Sequence, residues 1–196
     1  MPAWLLAVPA LMVVQAPAPT PALDQLQGLM MAIPEALVDG KRTATPGLVV
    51  KAKSSWDALK PEVGKALPEA ELTFIDKQLK AMLKMKPREQ AAGALGISSA
   101  LSRYQPRSRK QDLLQANRTV MLAWCGVDGA LWEPMPRVEV AFKPLIEQDN
   151  GQHALAVVSI QEAIKRFQES TKKRKAVEAK KALKELLNLS AVLEKA

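Results

Sequence analysis

Catalysis in this chain would depend on a single histidine, because His153 is its only imidazole. Any Ser-His-Asp or Cys-His arrangement would need that residue as its base. His153 follows the turn-forming segment Asp149-Asn-Gly151, so we expect it to lie, solvated, at the start of a helix. The sequence contains no glycine-rich phosphate loop, no zinc motif and no Cys-x-x-Cys pair. These features predict a protein that is not an enzyme and has no resident cofactor.

The single cysteine, Cys125, excludes an intrachain disulfide and is the one thiol that could act as a nucleophile. It lies in the apolar segment Met121-Leu-Ala-Trp-Cys-Gly126. A thiol in apolar surroundings has a raised pKa and reacts poorly. We therefore expect Cys125 to be buried and inert.

Methionine thioethers offer the one soft-ligand chemistry in the chain. Met82 and Met85 are spaced i, i+3 and would share a helix face, as ligands of Cu(I) would need, and Met30 and Met31 could add to them. A methionine within an apolar helical stripe is ordinarily a core residue. We favour the core and keep a Cu(I)-type metal or small-ligand carrier as the alternative function.

Two tryptophans, Trp56 and Trp132, each stand beside a proline-containing break. Core anchoring is the favoured interpretation, and the alternative is that both line a ligand-binding cleft. The segments around them, Trp56 to Val63 and Trp132 to Val138, also resemble each other faintly. That resemblance raises the hypothesis of two related four-helix halves with a groove between them.

Basic residues are concentrated near the end of the chain. The net charge is +8, and residues 165–196 hold ten Lys or Arg against four Glu. Such a segment favours anionic partners. The residues expected to contact an anionic envelope component or an acidic protein are Lys172, Lys173, Arg174, Lys175, Lys180 and Lys181.

A smaller basic cluster surrounds Tyr104 and comprises Arg103, Arg107, Arg109 and Lys110. The mixture of an aromatic residue with basic ones is a weak nucleic-acid-binding pattern. Nucleic acid is a poor partner for an exported protein, so we expect this segment to be an exposed, solubilising loop.

Residues 1–22 resemble a secretory signal peptide. Ala3 to Val14 is an uncharged apolar run that is too short to span a bilayer, and small residues follow it. Cleavage is expected near Ala16 or near Ala22. The sequence thus predicts a periplasmic or secreted protein whose residues 23–196 form one domain without a transmembrane span.

Apolar residues recur with a helical period along most of residues 23–196, and no segment alternates as a strand would. The sequence predicts an all-α, antiparallel bundle of six to eight helices. Thr45 is expected to cap a helix, Gly126 and Gly129 to end one, and Leu131 to Gln148 to form kinked or 3₁₀ pieces because of its prolines. The last helix is expected to begin at Lys172.

Together these patterns predict a non-enzymatic exported helical protein that binds or scaffolds an envelope partner, with an anionic surface as the favoured partner. The basic residues near the end of the chain would carry that contact.

Overall fold

The computed structural model describes residues 21–133 and 135–194. These residues form eight α-helices and no strand, with a short 3₁₀ helix at Arg42–Ala44. The predicted all-α multi-helix bundle is therefore confirmed, with the number of helices at the upper end of the expected range. The helices are α1 (Pro21–Val38), α2 (Thr45–Val63), α3 (Glu69–Met82), α4 (Pro87–Ser102), α5 (Arg109–Asp128), α6 (Val138–Glu147), α7 (Ala154–Lys172) and α8 (Ala176–Glu194).

Successive helices run in opposite directions, so the connections between them gather at two ends of the bundle. We call one end the turn end, because it holds the α1–α2, α3–α4, α5–α6 and α7–α8 connections. The terminus end holds the other three connections, the start of α1 and the end of α8. Two contacts define the turn end: Asp128, at the end of α5, bonds both Arg42 before α2 and Lys180 near the start of α8.

Contacts at the terminus end show the same alternation of helix directions. Gln105, after α4, donates to Asp24 in the first turn of α1, with Nε2 and Oδ1 2.9 Å apart. Arg109, at the start of α5, donates to the Leu193 carbonyl near the end of α8. Short connections between amphipathic helices produce this up-and-down order, because each helix must bury its apolar stripe against a neighbour.

The first four helices enclose one hydrophobic core. Trp56, Ile75 and Met82 are fully buried in it, together with Met30 of α1. The indole N–H of Trp56 is satisfied because it donates to Asp76 on α3, with Nε1 and Oδ1 2.6 Å apart. A buried tryptophan needs such a partner for its one polar atom. Asp76 also binds Lys60 of α2.

The last four helices enclose a second core, and a third cluster joins the two. Phe142 of α6, Phe167 of α7 and Leu186 of α8 are buried in the second core. The joining cluster contains Met31 and Leu95 from the first half with Met121 and Cys125 of α5 from the second.

A polar network crosses the same boundary and centres on Arg118, which is 4% exposed. Its Nη1 donates to the Ser98 carbonyl at 2.7 Å and to the Ser102 hydroxyl at 2.6 Å, and its Nη2 donates to Gln115. Gln27 of α1 donates to the Ser98 hydroxyl. Burial lowers the pKa of Arg118 to about 10, so the side chain stays protonated at neutral pH. These bonds tie α1, α4 and α5 together.

Several local expectations need correction. Thr45 is the first residue of α2, and its hydroxyl donates to Arg42 and Gln90 instead of capping the helix. Gly126 lies inside α5, which continues to Asp128. Residues 138–147 form a single α-helix with Pro144 inside it, where separate 3₁₀ pieces were one expectation. Tertiary packing outweighs the low helix propensity of glycine and proline at these positions.

The expected start of the last helix at Lys172 is also wrong. Lys172 ends α7, residues 173–175 form the turn, and α8 begins at Ala176. Arg174 has φ +51°, a left-handed conformation that ends a helix and prevents the two helices from merging.

The resemblance between the two tryptophan segments does not correspond to equivalent positions in the fold. Trp56 lies within α2, whereas Trp132 lies in the connection between α5 and α6. The segment around Trp56 ends a helix at Val63, and the segment around Trp132 leads into a helix at Val138.

The structure lacks any helix, within residues 21–133 and 135–194, that is long and apolar enough to cross a bilayer. The expected signal peptide lies almost entirely outside the described residues. Of residues 1–22 only Pro21 and Ala22 are described, and they begin α1. Ala22 and Leu23 are already buried in the first core.

Candidate functional site

Four of the six basic residues expected to contact an anionic partner form the tip of the α7–α8 hairpin. Lys172, Lys173, Arg174 and Lys175 are all exposed. The one ion pair that the described residues give this group joins Lys175 to Glu178, at 3.6 Å. The tip therefore presents a compact, mostly uncompensated positive charge to solvent.

The structure separates Lys180 from the other five. Its ammonium group donates to Asp128 of α5 at 2.6 Å and lies 5.4 Å from the centre of the Trp124 ring. Lys180 therefore joins α8 to α5 and is engaged within the protein. Lys181 is exposed and has no ion pair to another described residue.

A second basic turn, which was not predicted from the sequence, lies at the same end. Lys84 and Lys86 form the α3–α4 connection, and Arg88 follows in the first turn of α4. None of these three side chains has an ion pair to another described residue. A signal was present in the sequence, because residues 77–88 hold five basic residues and no acidic one. Its importance depends on the helix order, which places this turn at the same end as Lys172–Lys175.

The connections at the two ends differ in charge. Those at the turn end carry eight basic and two acidic residues, and those at the terminus end carry three basic and one acidic. The segments compared are 39–44, 83–86, 129–137 and 173–175 at the turn end, and 64–68, 103–108 and 148–153 at the terminus end. The positive charge of the chain is therefore concentrated at the turn end.

The smaller basic cluster lies at the terminus end and is neutralised there. Arg103 pairs with Glu71, Arg107 with Asp112, and Lys110 with Asp24, at 3.4–3.6 Å. Arg109 donates to the Leu193 carbonyl at 3.4 Å. All four basic side chains are exposed, as expected of a solubilising loop, and three of them also form surface ion pairs with neighbouring helices.

Asp128 organises the centre of the turn end. Its Oδ1 accepts from Arg42 and from Lys180, each at 2.6 Å. Burial opposes ionisation of this carboxyl, but the Lys180 hydrogen bond and the charges of Lys180, Arg42 and Arg88 outweigh it and lower its pKa. The carboxylate holds the α1–α2 connection, α5 and α8 in fixed relation.

Exposed aliphatic side chains accompany the basic turns. Leu83 lies in the α3–α4 turn, Leu131 in the α5–α6 connection and Val177 in the first turn of α8, and these side chains are 47%, 60% and 79% exposed. An exposed aliphatic next to unpaired lysines is typical of surfaces that lie against a lipid interface.

The residues that could support catalysis are held in structural roles. His153 precedes the first residue of α7, as expected, although it is half-buried and not fully solvated, and its Nδ1 lies 2.9 Å from Asp149 Oδ1. Cys125 is buried, and burial raises the pKa of its thiol to about 12. The two residues belong to opposite ends of the bundle, so they cannot act together.

The residues of the carrier alternative are divided between the two cores and the cluster that joins them. Trp56 is fully buried in the first core, and Trp132 packs against the second, so they share no cleft. Met30 and Met82 are fully buried, Met31 is in the joining cluster and Met85 packs against the first core. No cluster of three or more His, Cys, Asp or Glu in the part of the chain that the structure describes could hold a metal ion.

Comparison with protein-family models, with curated proteins and with solved structures found no match to this chain. A function for this chain must therefore be inferred from the geometry of the turn end.

Proposed function

We propose that this protein is a non-enzymatic, exported helical protein that binds an anionic lipid surface of the cell envelope through its turn end. The observation that carries the proposal is the gathering of two mostly unpaired basic segments, residues 172–175 and residues 84–88, at one end of the bundle. An acidic protein surface is the alternative partner, and the test below separates the two.

The charge distribution supports a contact with a surface of fixed negative charge. Each Lys or Arg near an anionic membrane contributes about 1 kcal/mol of attraction, which falls off within a Debye length. Five of these residues lie in the two turns or at the helix end beside them, so several can reach the headgroups together: Lys84, Lys86, Lys172, Lys173 and Arg174. Their combined attraction is sufficient for reversible binding without a membrane span.

The exposed aliphatic side chains supply the second contribution to membrane binding. Val177 follows the basic tip by two residues, and Leu83 precedes Lys84. Side chains at such positions can enter the boundary between headgroups and acyl chains, while the neighbouring lysines remain at the phosphate level. The combination favours a lipid surface over a purely polar polyanion.

Export is part of the proposal and is supported by the apolar run at residues 3–14. Of the two expected cleavage positions, the one near Ala16 is favoured by the position of α1. Cleavage after Ala22 would remove Pro21 and Ala22, the first two residues of that helix, and Ala22 is buried. The mature protein would be periplasmic or secreted.

Vesicle co-sedimentation tests the proposal. The purified mature protein should pellet with phosphatidylglycerol vesicles and not with phosphatidylcholine vesicles, and the bound fraction should fall as salt rises. Equal binding to both vesicles, or binding that salt does not weaken, would contradict it. Absence of binding to either, with retention on an acidic protein column, would favour the alternative partner.

A further inference from the structure

A pocket of about 370 Å³ opens at the turn end, between the start of α4, the α1–α2 connection and the last turn of α5. Three basic side chains line it, Arg42, Lys86 and Arg88, together with the carboxylates Glu89 and Asp128. It is the place where the α3–α4 basic turn meets the Asp128 contacts.

Both carboxylates of the pocket are already engaged within the protein. Glu89 Oε2 accepts from the Lys86 backbone N–H at 3.0 Å. Asp128 accepts from Arg42 and Lys180. The side chains of Lys86 and Arg88 remain without a carboxylate ion pair to any described residue, and both residues line the pocket from either side of Pro87.

Gly129 gives Arg88 its place in this pocket. A Cβ at Gly129 would overlap the Arg88 guanidinium. The φ of Gly129 is −94°, which any residue can adopt, so glycine is not required here by its backbone. Its missing side chain instead makes room for the guanidinium against the end of α5.

We propose that this pocket binds a single phosphate group, with the Arg88 guanidinium donating two hydrogen bonds and the Lys86 ammonium supplying the second positive charge. Guanidinium groups recognise phosphate through paired N–H donors, and a lysine complements them as a point charge. The inference rests on the proposed function in one respect, since docking on a membrane would bring lipid phosphomonoesters to the pocket. Free inorganic phosphate has the same chemistry.

A titration with inorganic phosphate tests the pocket without any membrane. Phosphate added at constant ionic strength should shift the backbone amide signals of Lys86, Arg88 and Glu89 in ¹H–¹⁵N NMR spectra, with a dissociation constant of about a millimolar. Arg88→Gln and Gly129→Ala should each weaken binding about tenfold, because one removes the guanidinium and the other displaces it.

The matched control is Gly96→Ala. Gly96 lies on α4, and a Cβ there would meet no other atom, so this variant should bind phosphate as the wild type does. Unsaturable shifts in the wild type, or equal binding by wild type and both pocket variants, would overturn the proposal.

Vesicles distinguish the two sources of phosphate and separate this inference from the proposed function. With vesicles of matched surface charge, a lipid source predicts tighter binding to phosphatidic acid, with its exposed phosphomonoester, than to phosphatidylglycerol, and Gly129→Ala should remove the preference. Phosphate binding without a lipid preference would identify free phosphate as the ligand. Phosphate binding with no vesicle binding would contradict membrane docking and leave the pocket intact.

Discussion

The chain has two clusters of four basic residues, one at each end of the bundle, and they have opposite roles. Arg103, Arg107 and Lys110 at the terminus end pair with acidic residues, and Arg109 pairs with a carbonyl group. At the turn end, residues 172–175 form a single ion pair with another described residue, through Lys175. Equal positive charge in the sequence thus forms surface ion pairs at one end and remains mostly unpaired at the other.

The difference arises from what the helix order brings near each cluster. Asp24, Glu71 and Asp112 lie in the first turns of three helices that begin at the terminus end, where acidic residues are favoured by the helix dipole. They pair with Lys110 at the start of α5 and with Arg103 and Arg107 of the α4–α5 connection. The α7–α8 tip has only Glu178 in a comparable position.

Charge reversal at the turn end should have the largest effect on vesicle binding. Replacing Lys172, Lys173, Arg174 and Lys175 together with Glu should weaken binding to phosphatidylglycerol vesicles by more than about a hundredfold, because each basic residue contributes about 1 kcal/mol. Co-sedimentation and the melting temperature should be measured together. The fold should remain stable, because these residues lie in an exposed turn.

The matched control reverses two charges at the terminus end, Arg103→Glu with Arg107→Glu. This variant should keep its vesicle binding and lose thermal stability instead, because Glu71 and Asp112 would then face like charges. A loss of vesicle binding equal to that of the α7–α8 variant would mean that total charge, and not its location, determines the interaction.

Replacing an exposed aliphatic residue at the turn end should have an intermediate effect on vesicle binding. Val177→Asp at the turn end should weaken vesicle binding about tenfold, since it removes an apolar contact and adds a repelled charge. Leu155→Asp is the matched variant at the terminus end, where Leu155 is 86% exposed. It should bind vesicles nearly as the wild type does, and equal losses in both variants would show that orientation at the membrane is not fixed.

The smallest effect concerns the acidic residue that organises the turn end. Asp128→Asn should lower the free energy of unfolding at neutral pH by about 1–2 kcal/mol, because Arg42 and Lys180 lose their shared partner. The pKa of Asp128 is lowered in the folded state, so its carboxylate stabilises the fold at pH values above the pKa of the unfolded state. This stabilisation is lost as the pH falls through the lowered pKa of the folded state.

Thermal melts between neutral pH and pH 3 measure this contribution. The difference between wild type and Asp128→Asn should shrink on acidification. A difference that stays constant or grows would show that Asp128 stabilises the fold by packing and not by its charge.

Sequence patterns predicted the helices well because amphipathic periodicity is local, and Pro87 and Gly151 mark real breaks near helix starts. Boundaries that depend on tertiary packing were missed, such as the continuation of α5 past Gly126. The turn at residues 173–175 was also missed, because lysines are common within helices and no glycine marks the break.

The proposed site follows from the sequence only in part. Residues 172–175 could be identified by charge density alone, but Lys180 could not be separated from them without its contacts to Asp128 and Trp124. Lys84 and Lys86 join the site only through the alternation of helix directions, which links turns far apart in the sequence. Which residues form ion pairs, and which turns lie at the same end of the bundle, depend on contacts between distant parts of the sequence. Patterns in a single sequence do not contain that information.

The most direct test of the central claim is to measure which end of the bundle contacts the membrane. A polarity-sensitive fluorophore can be attached to Val177→Cys or to Leu155→Cys in the otherwise natural chain, because Cys125 is buried and its thiol pKa is raised to about 12. On phosphatidylglycerol vesicles, the label at position 177 should shift to shorter wavelength and become protected from an aqueous quencher, while the label at position 155 stays accessible. Protection at position 155, or equal accessibility at both positions in the bound protein, would contradict the account.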